Sequence, residues 1–252
     1  MTDIHKRPYT NWHIWLSVSL VCCVISFVTC TSKFPLDIKD FYYPVEELQE
    51  GLVYHYSSTN NNQDGLDHYW FFKAHDINNS KQLTGQFYDH NRQTLQFFRQ
   101  NITTSGALLE DYRLYTSDSI AQTIPVKVLY NNVFPFSISD TTAVYLYKLE
   151  YINPQDSSIN TITRNRRYGG EREWTHNGKT YPAIRIEILE QISNDLNGVL
   201  TIDLKGYEIY AEGIGLVYTE RISNDGSSHM IDQLVDRVTM EDFAESSKAS
   251  SF

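Results

Sequence analysis

Only three cysteines occur in 252 residues, and all of them, Cys22, Cys23 and Cys30, lie in or at the end of one apolar stretch near the N terminus. The remaining chain therefore has no disulfide, no thiolate nucleophile and no cysteine-ligated zinc or iron-sulfur centre. Basic charge is also scarce. Against 31 Asp and Glu stand 21 Lys and Arg, a formal net charge of -10. A surface of that sign repels phosphate backbones, which argues against a sequence-neutral nucleic-acid binder.

Motifs that carry chemistry are missing as well. There is no His-Glu-x-x-His helix and no Gly-x-Ser-x-Gly elbow. The adjacent pairs Asp67-His68, His75-Asp76 and Asp89-His90 read as solvated loop residues, because neighbours on a strand face opposite ways. Acids are abundant, but abundance does not set two carboxylates at the separation that glycoside hydrolysis needs. The expectation is a protein that is not an enzyme and holds no metal site and no cofactor, with an envelope hydrolase acting on glycan or lipid and a soluble secreted β domain of structural role as the alternatives.

What is present begins with Lys6, Arg7 and the apolar run Ile14 to Val28, followed by Thr29-Cys30-Thr31-Ser32. This is the layout of an export signal. A transmembrane helix needs about 20 apolar residues, a length reached here only by counting Thr10, Asn11 and His13. The box Phe27-Val28-Thr29-Cys30 resembles the end of a bacterial lipoprotein signal. That resemblance implies a lipid on Cys30 as the first mature residue, attachment to a membrane through it, and a place in the bacterial cell envelope, on the outer membrane. An uncleaved anchor and soluble secretion are the alternatives. With Lys6, Arg7 and Asp3 removed, 19 basic residues would face 30 acidic ones.

Beyond Cys30 the apolar residues alternate. Leu52, Tyr54 and Tyr56 share a face, as do Trp70, Phe72 and Ala74, and Ile184, Ile186 and Ile188 alternate with Arg185 and Glu187. A period of two marks half-buried antiparallel strands. Turn signals punctuate the runs, Asn177-Gly178 being the clearest hairpin. Helical signals are few: Pro44 to Gly51 has the punctuation of two turns, and Ile231, Leu234, Val235 and Val238 have helical spacing that would cap an open side of the sheet. The expected fold is mostly β, a single curved antiparallel sheet or half-barrel with one or two short helices. Its expected divisions are a signal peptide over 1–29, a lipidated N terminus and tether over 30–50, the β domain over 51–240 and a flexible tail over 241–252.

Three groups are candidate binding or structural features. Tyr145, Tyr147 and Tyr151 would share a strand face that either fits a half-exposed sheet or meets a lipid, glycan or peptide. Arg164 and Arg166 would share a face within the basic cluster of an acidic chain, where they either balance nearby acids or meet an anion such as a phospholipid head group. Gly213 and Gly215, one residue apart between apolar runs, allow a tight turn or a close strand crossing.

The glycine pair stands in Tyr210-Ala211-Glu212-Gly213-Ile214-Gly215-Leu216-Val217. This stretch resembles a group of uncharacterised envelope lipoproteins of Bacteroidetes-like organisms, whose C-terminal part reads Trp-Tyr-Ala-x-Gly-Val-Gly-Leu-Val-Lys. Ile209 and Tyr218 stand in place of the tryptophan and the lysine. Phe34-Pro35-Leu36 and Glu50-Gly51-Leu52-Val53-Tyr54-His55-Tyr56 look like the opening strand of the same group. The resemblance implies a curved half-barrel outline and a binding or scaffolding role, with a lipid or an envelope protein as partner and lipid or lipoprotein handling as its specific form. It carries over no catalytic residue, and the oligomeric state stays open.

Overall fold

The computed structural model describes residues 34–61, 63–117 and 122–249. Twelve strands run up and down in sequence order: β1 (Leu52–Asn60), β2 (His68–Ile77), β3 (Ser80–Tyr88), β4 (Thr94–Ile102), β5 (Gly106–Tyr115), β6 (Thr123–Pro135), β7 (Val144–Ile152), β8 (Ile159–His176), β9 (Lys179–Asp195), β10 (Val199–Ala211), β11 (Gly215–Ser223) and β12 (His229–Val238). Each pairs antiparallel with the next, and β12 pairs antiparallel with β1 from Met230 opposite Asn60 to Val238 opposite Val53. The sheet is therefore a closed barrel, not the open curved sheet or half-barrel that the sequence suggests. Closure gives each of the twelve strands a partner on both sides, although the β8 to β9 hairpin runs on past the β7 ladder, which ends at Val144 opposite Arg167.

The closing strand is the one that reads as a helix. In β12, Asp232 pairs with Ser58 and Leu234 with Tyr56, then a bulge between Leu234 and Asp236 shifts the parity. Ile231 and Leu234 stand on opposite faces ahead of the bulge, and Val235 within it is exposed, so the four apolar residues with helical spacing share no face of the strand. The true helix, α1 (Met240–Ala249), follows directly. Phe243 on α1 packs against Tyr69 and Tyr88 at ring distances of 4.9 and 5.9 Å, with the Arg92 guanidinium 4.1 Å from its ring.

Pro44 to Gly51 is not a helix but a run of tight turns, closed by Glu47 N–H to Pro44 O and Gly51 N–H to Leu48 O. Those turns belong to a segment that closes one end of the barrel. Within the span expected to be tether, the short strand Leu36–Asp37 pairs with Ser137–Ile138, and a 3-10 turn covers Lys39–Phe41. Ile38, Tyr42 and Leu48 are buried. The segment is fastened to barrel backbone by Ile38 N–H to Phe136 O and Ala74 N–H to Leu48 O, and receives Gly213 N–H on Asp40 O. Tyr42 packs on Phe134 and Phe136, Tyr43 on Tyr54 and Phe72. This is the plugged end. The opposite end carries the turns that join β3 to β4, β7 to β8, β9 to β10 and β11 to β12.

Strand parity decides what the barrel contains. The inner face of β1 to β4 presents Tyr54, Tyr56, Trp70, Phe72, Leu83, Phe87 and Phe98, while Lys73, Thr84, Arg99 and Asp111 form a row on the outer face. An eight-stranded barrel is just filled by its own side chains. Twelve strands make a wider one, and space remains inside.

Candidate functional site: the barrel interior

The space is a cavity of about 430 Å³, within the range of small-molecule sites. Its two sides differ in chemistry. Strands β2 to β4 contribute Trp70, Phe72, Phe87 and Phe98, and Tyr43 from the plug completes an aromatic wall. Trp70 and Phe87 point inward yet are only half-buried; inward rings keep accessible surface only where the interior is not filled.

The facing wall is charged. Cross-strand register sets Tyr147 opposite Arg164, Arg164 opposite Glu190, Glu190 opposite Leu204, and in the next row Arg166 opposite Ile188 and Ile188 opposite Gly206. Ile184, Ile186 and Ile188 run along the inner face of β9, and Glu190 continues the same parity, which carries its carboxylate into the interior. Glu208 sits likewise between inward Tyr210 and Gly206 on β10.

These groups form one continuous network. Arg164 pairs with Glu190 and lies 3.3 Å from Glu208; Arg166 lies 3.1 Å from Glu208 and donates to Val133 O. Tyr210 donates its hydroxyl to Glu208 at 3.1 Å. Arg221 continues the chain, 3.8 Å from Glu190 and 3.3 Å from Asp232. Asp232 accepts from Ser58 at 2.7 Å, and Ser58 also meets His68 Nδ1 at 3.0 Å. Arg221 and Asp232 keep 25% and 19% side-chain exposure, so water reaches this part of the wall.

The electrostatics follow from burial and pairing. Burial works against the Glu208 carboxylate, but Arg166 and Arg164 beside it, with hydrogen bonds from Arg166 and Tyr210, hold its pKa below the usual carboxylate value. Burial, joined by the Glu208 charge, pushes the Tyr210 hydroxyl far up. Burial lowers His68, against the pull of Asp232. Wall and network therefore hold three arginines, three carboxylates and a histidine biased to its neutral form, with no net charge.

Several expected features are placed by this geometry. Tyr145, Tyr147 and Tyr151 lie across from Arg166, Arg164 and Asn160 on the inner face of β7; Tyr147 lines the cavity, with Arg164 and Arg166 at 5.5 and 5.2 Å from its ring. Arg164 and Arg166 share the inner face of β8, but their countercharges are Glu190 and Glu208 on later strands. Gly213 and Gly215 form the β10 to β11 turn with φ of +69° and +98°, and a Cβ on Gly215 would lie 2.5 Å from the Tyr43 ring. Cys30 lies outside the described residues. His68 is not a loop residue: it opens β2 and faces inward. Sequence reasoning also missed Glu190, Arg221 and Asp232. The signal for Glu190 is a charge in parity with three buried isoleucines.

Among the described residues no cluster of three or more His, Cys, Asp or Glu side chains could hold a metal ion, and no helix is long and apolar enough to cross a membrane.

No protein-family model matches the chain, and no curated protein sequence matches it either. Solved structures do. A protein described as a "putative lipoprotein" from Parabacteroides distasonis aligns with a TM-score of 0.53 at 12% identity, over 78% of this chain and 97% of that one. One from Bacteroides fragilis, described as a "putative exported protein with YmcC-like fold", aligns with a TM-score of 0.55 at 14% identity, over 78% and 98%. At such identities the likeness is one of fold, and it does not rest on the Tyr210 to Val217 motif.

Proposed function

We propose that the protein is a non-enzymatic lipoprotein of the bacterial envelope, held at a membrane by a lipid on Cys30, and that its barrel binds a small ligand between the aromatic and charged walls. The cavity carries this reading: an interior of about 430 Å³ beside a wall of ion pairs is space that a purely structural barrel would fill with side chains. The layout around Cys30 supports export and lipidation, and the descriptions of the two similar structures point the same way.

The network speaks against catalysis. A general acid or base needs a carboxyl group poised to exchange its proton near the working pH. Glu208 is bound to two arginines and held low, and Glu190 is bound to Arg164. The same wall narrows lipid handling. An acyl chain filling this space would lie along ionised groups and gain nothing from that side, so a lipid would enter by its head group.

Native mass spectrometry of the protein gently extracted from its envelope tests the proposal. Beyond any covalent lipid, wild type should retain a non-covalently bound mass that is released on collisional activation, and Thr219→Phe, which places a ring in the cavity, should lose it while keeping the barrel folded. A wild-type protein with no added mass and no saturable binding from an envelope small-molecule extract would overturn the reading.

A further inference from the structure

Resting on the reading of the interior as a ligand site, we propose that its ligand is an uncharged saccharide of one or two rings, stacked on Trp70 and hydrogen-bonded to the Arg166, Glu208 and Asp232 side of the cavity.

The cavity sets an aromatic wall against a charged one. A pyranose has a face of C–H groups and a rim of hydroxyls. The C–H face suits the exposed surfaces of Trp70 and Phe87, whose rings stand 5.2 Å apart at 63° and remain half-buried. The hydroxyl rim suits a wall that offers both guanidinium donors and carboxylate acceptors. Few other small molecules present an apolar face and many donor-acceptor groups at once.

The charged wall also disfavours an ion. An anion would gain from Arg164 and Arg166 but meet Glu208 and Glu190, which lie 3.1 to 3.3 Å from those guanidiniums or closer. A cation meets the arginines in the same way. Either ion would have to break a buried pair, which is costly. A hydroxyl can accept from a guanidinium and donate to a carboxylate without separating them.

The test is calorimetric titration of the full-length, detergent-solubilised protein with maltose, cellobiose, lactose and di-N-acetylchitobiose, beside dodecanoate and inorganic phosphate. At least one disaccharide should bind at one per chain. Its affinity should change little between about 0.05 and about 0.5 M salt, since screening acts on charged ligands. Trp70→Leu should weaken it by about tenfold or more, and Trp70→Tyr should recover most of the loss. Near-ultraviolet circular dichroism confirms that each variant is folded. Binding of dodecanoate or phosphate with no disaccharide binding would overturn the saccharide class and leave the cavity reading standing. If no probe binds and Thr219→Phe behaves as wild type throughout, both fall.

Discussion

Arg166 and Glu208 meet at 3.1 Å inside the barrel, with side chains 7% and 2% exposed. The pair brings the inner faces of β8 and β10 together across the intervening β9, and Glu208 also serves Arg164 and Tyr210. Removing its charge leaves two buried guanidiniums short of an acceptor. Glu208→Gln should therefore cost about 3 to 5 kcal/mol, read as a lower urea midpoint with unchanged slope. Arg166→Met with Glu208→Leu removes both charges and should cost far less than Glu208→Gln alone. A double variant as unstable as the single one would place the loss in shape rather than charge.

The same pair sets an acid dependence. Because the folded pKa of Glu208 is depressed, its contribution is complete above the unfolded value of about 4.3 and is lost as pH falls through the folded one. Wild type should thus lead Glu208→Gln by a constant margin near neutrality, and the margin should shrink below about pH 4.3. Glu220 and Asp225 are also held low, but both proteins share them, so the difference isolates Glu208. Urea midpoints for the two proteins across this range are the measurement; a margin that grows on acidification contradicts the pairing.

Closure depends on hydroxyls as well as on the β12 to β1 ladder. Tyr54 and Tyr56 on β1 reach over β12 and donate to the carbonyls of Ile214 and Leu216, at 2.9 and 2.8 Å. These carbonyls lie beyond the last β11 to β12 pair, Tyr218 with Gln233. Burial pushes the Tyr54 hydroxyl up to about 12, so it stays a donor at any ordinary pH. Tyr54→Phe should cost about 1 to 3 kcal/mol, because it leaves a buried acceptor unmatched, and Tyr56→Phe, whose acceptor is part-buried, should cost about 1 kcal/mol. Amide exchange along β11 and β12 should quicken in both variants before it does in β4.

Two glycines one residue apart should respond differently. Both have positive φ, but a Cβ on Gly213 meets open space, whereas one on Gly215 would strike Tyr43 at 2.5 Å. Gly213→Ala should cost about 1 to 2 kcal/mol from backbone strain alone, and Gly213→Asn still less, since asparagine tolerates this region. Gly215→Ala adds displacement of the half-buried Tyr43 ring and should cost about 2 to 4 kcal/mol. Thermal melts of the three variants give the ranking; equal losses at the two positions would remove Tyr43 from the account.

Much of the barrel was legible as alternation: Tyr54 with Tyr56, Trp70 with Phe72, and Ile184 to Ile188 all sit on the inner face of their strands. Closure was not. It depends on a pairing between the first and last strands, and the last one places apolar residues on both faces, Ile231 opposite Thr59 and Leu234 opposite Tyr56, so it shows no clean alternation. The site was half-visible for a related reason. Arg164 and Arg166 could be assigned to one face of one strand, but their partners Glu190 and Glu208 lie 26 and 42 positions later, and only the register of a complete sheet brings them together. Tyr42 and Tyr43 were invisible as cavity residues because their segment follows no strand or helix period; it is held by single hydrogen bonds and ring contacts.

Cys30 provides the last test, one that concerns the chain outside the described residues. The barrel unit begins at Pro35, so processing at Cys30 leaves every strand and the plugging segment intact. If Cys30 is lipidated, wild type should sediment with membranes, because each buried methylene of an attached chain contributes about 0.8 kcal/mol. Mass spectrometry should then find a mature N-terminal peptide that starts at a modified Cys30. Cys30→Ala should yield an unprocessed precursor or a protein released from membranes by mild washing, with the barrel's melting temperature unchanged. A wild-type chain that retains Met1 and an unmodified Cys30, or that starts at another residue, would show that the barrel reaches its compartment by a different route.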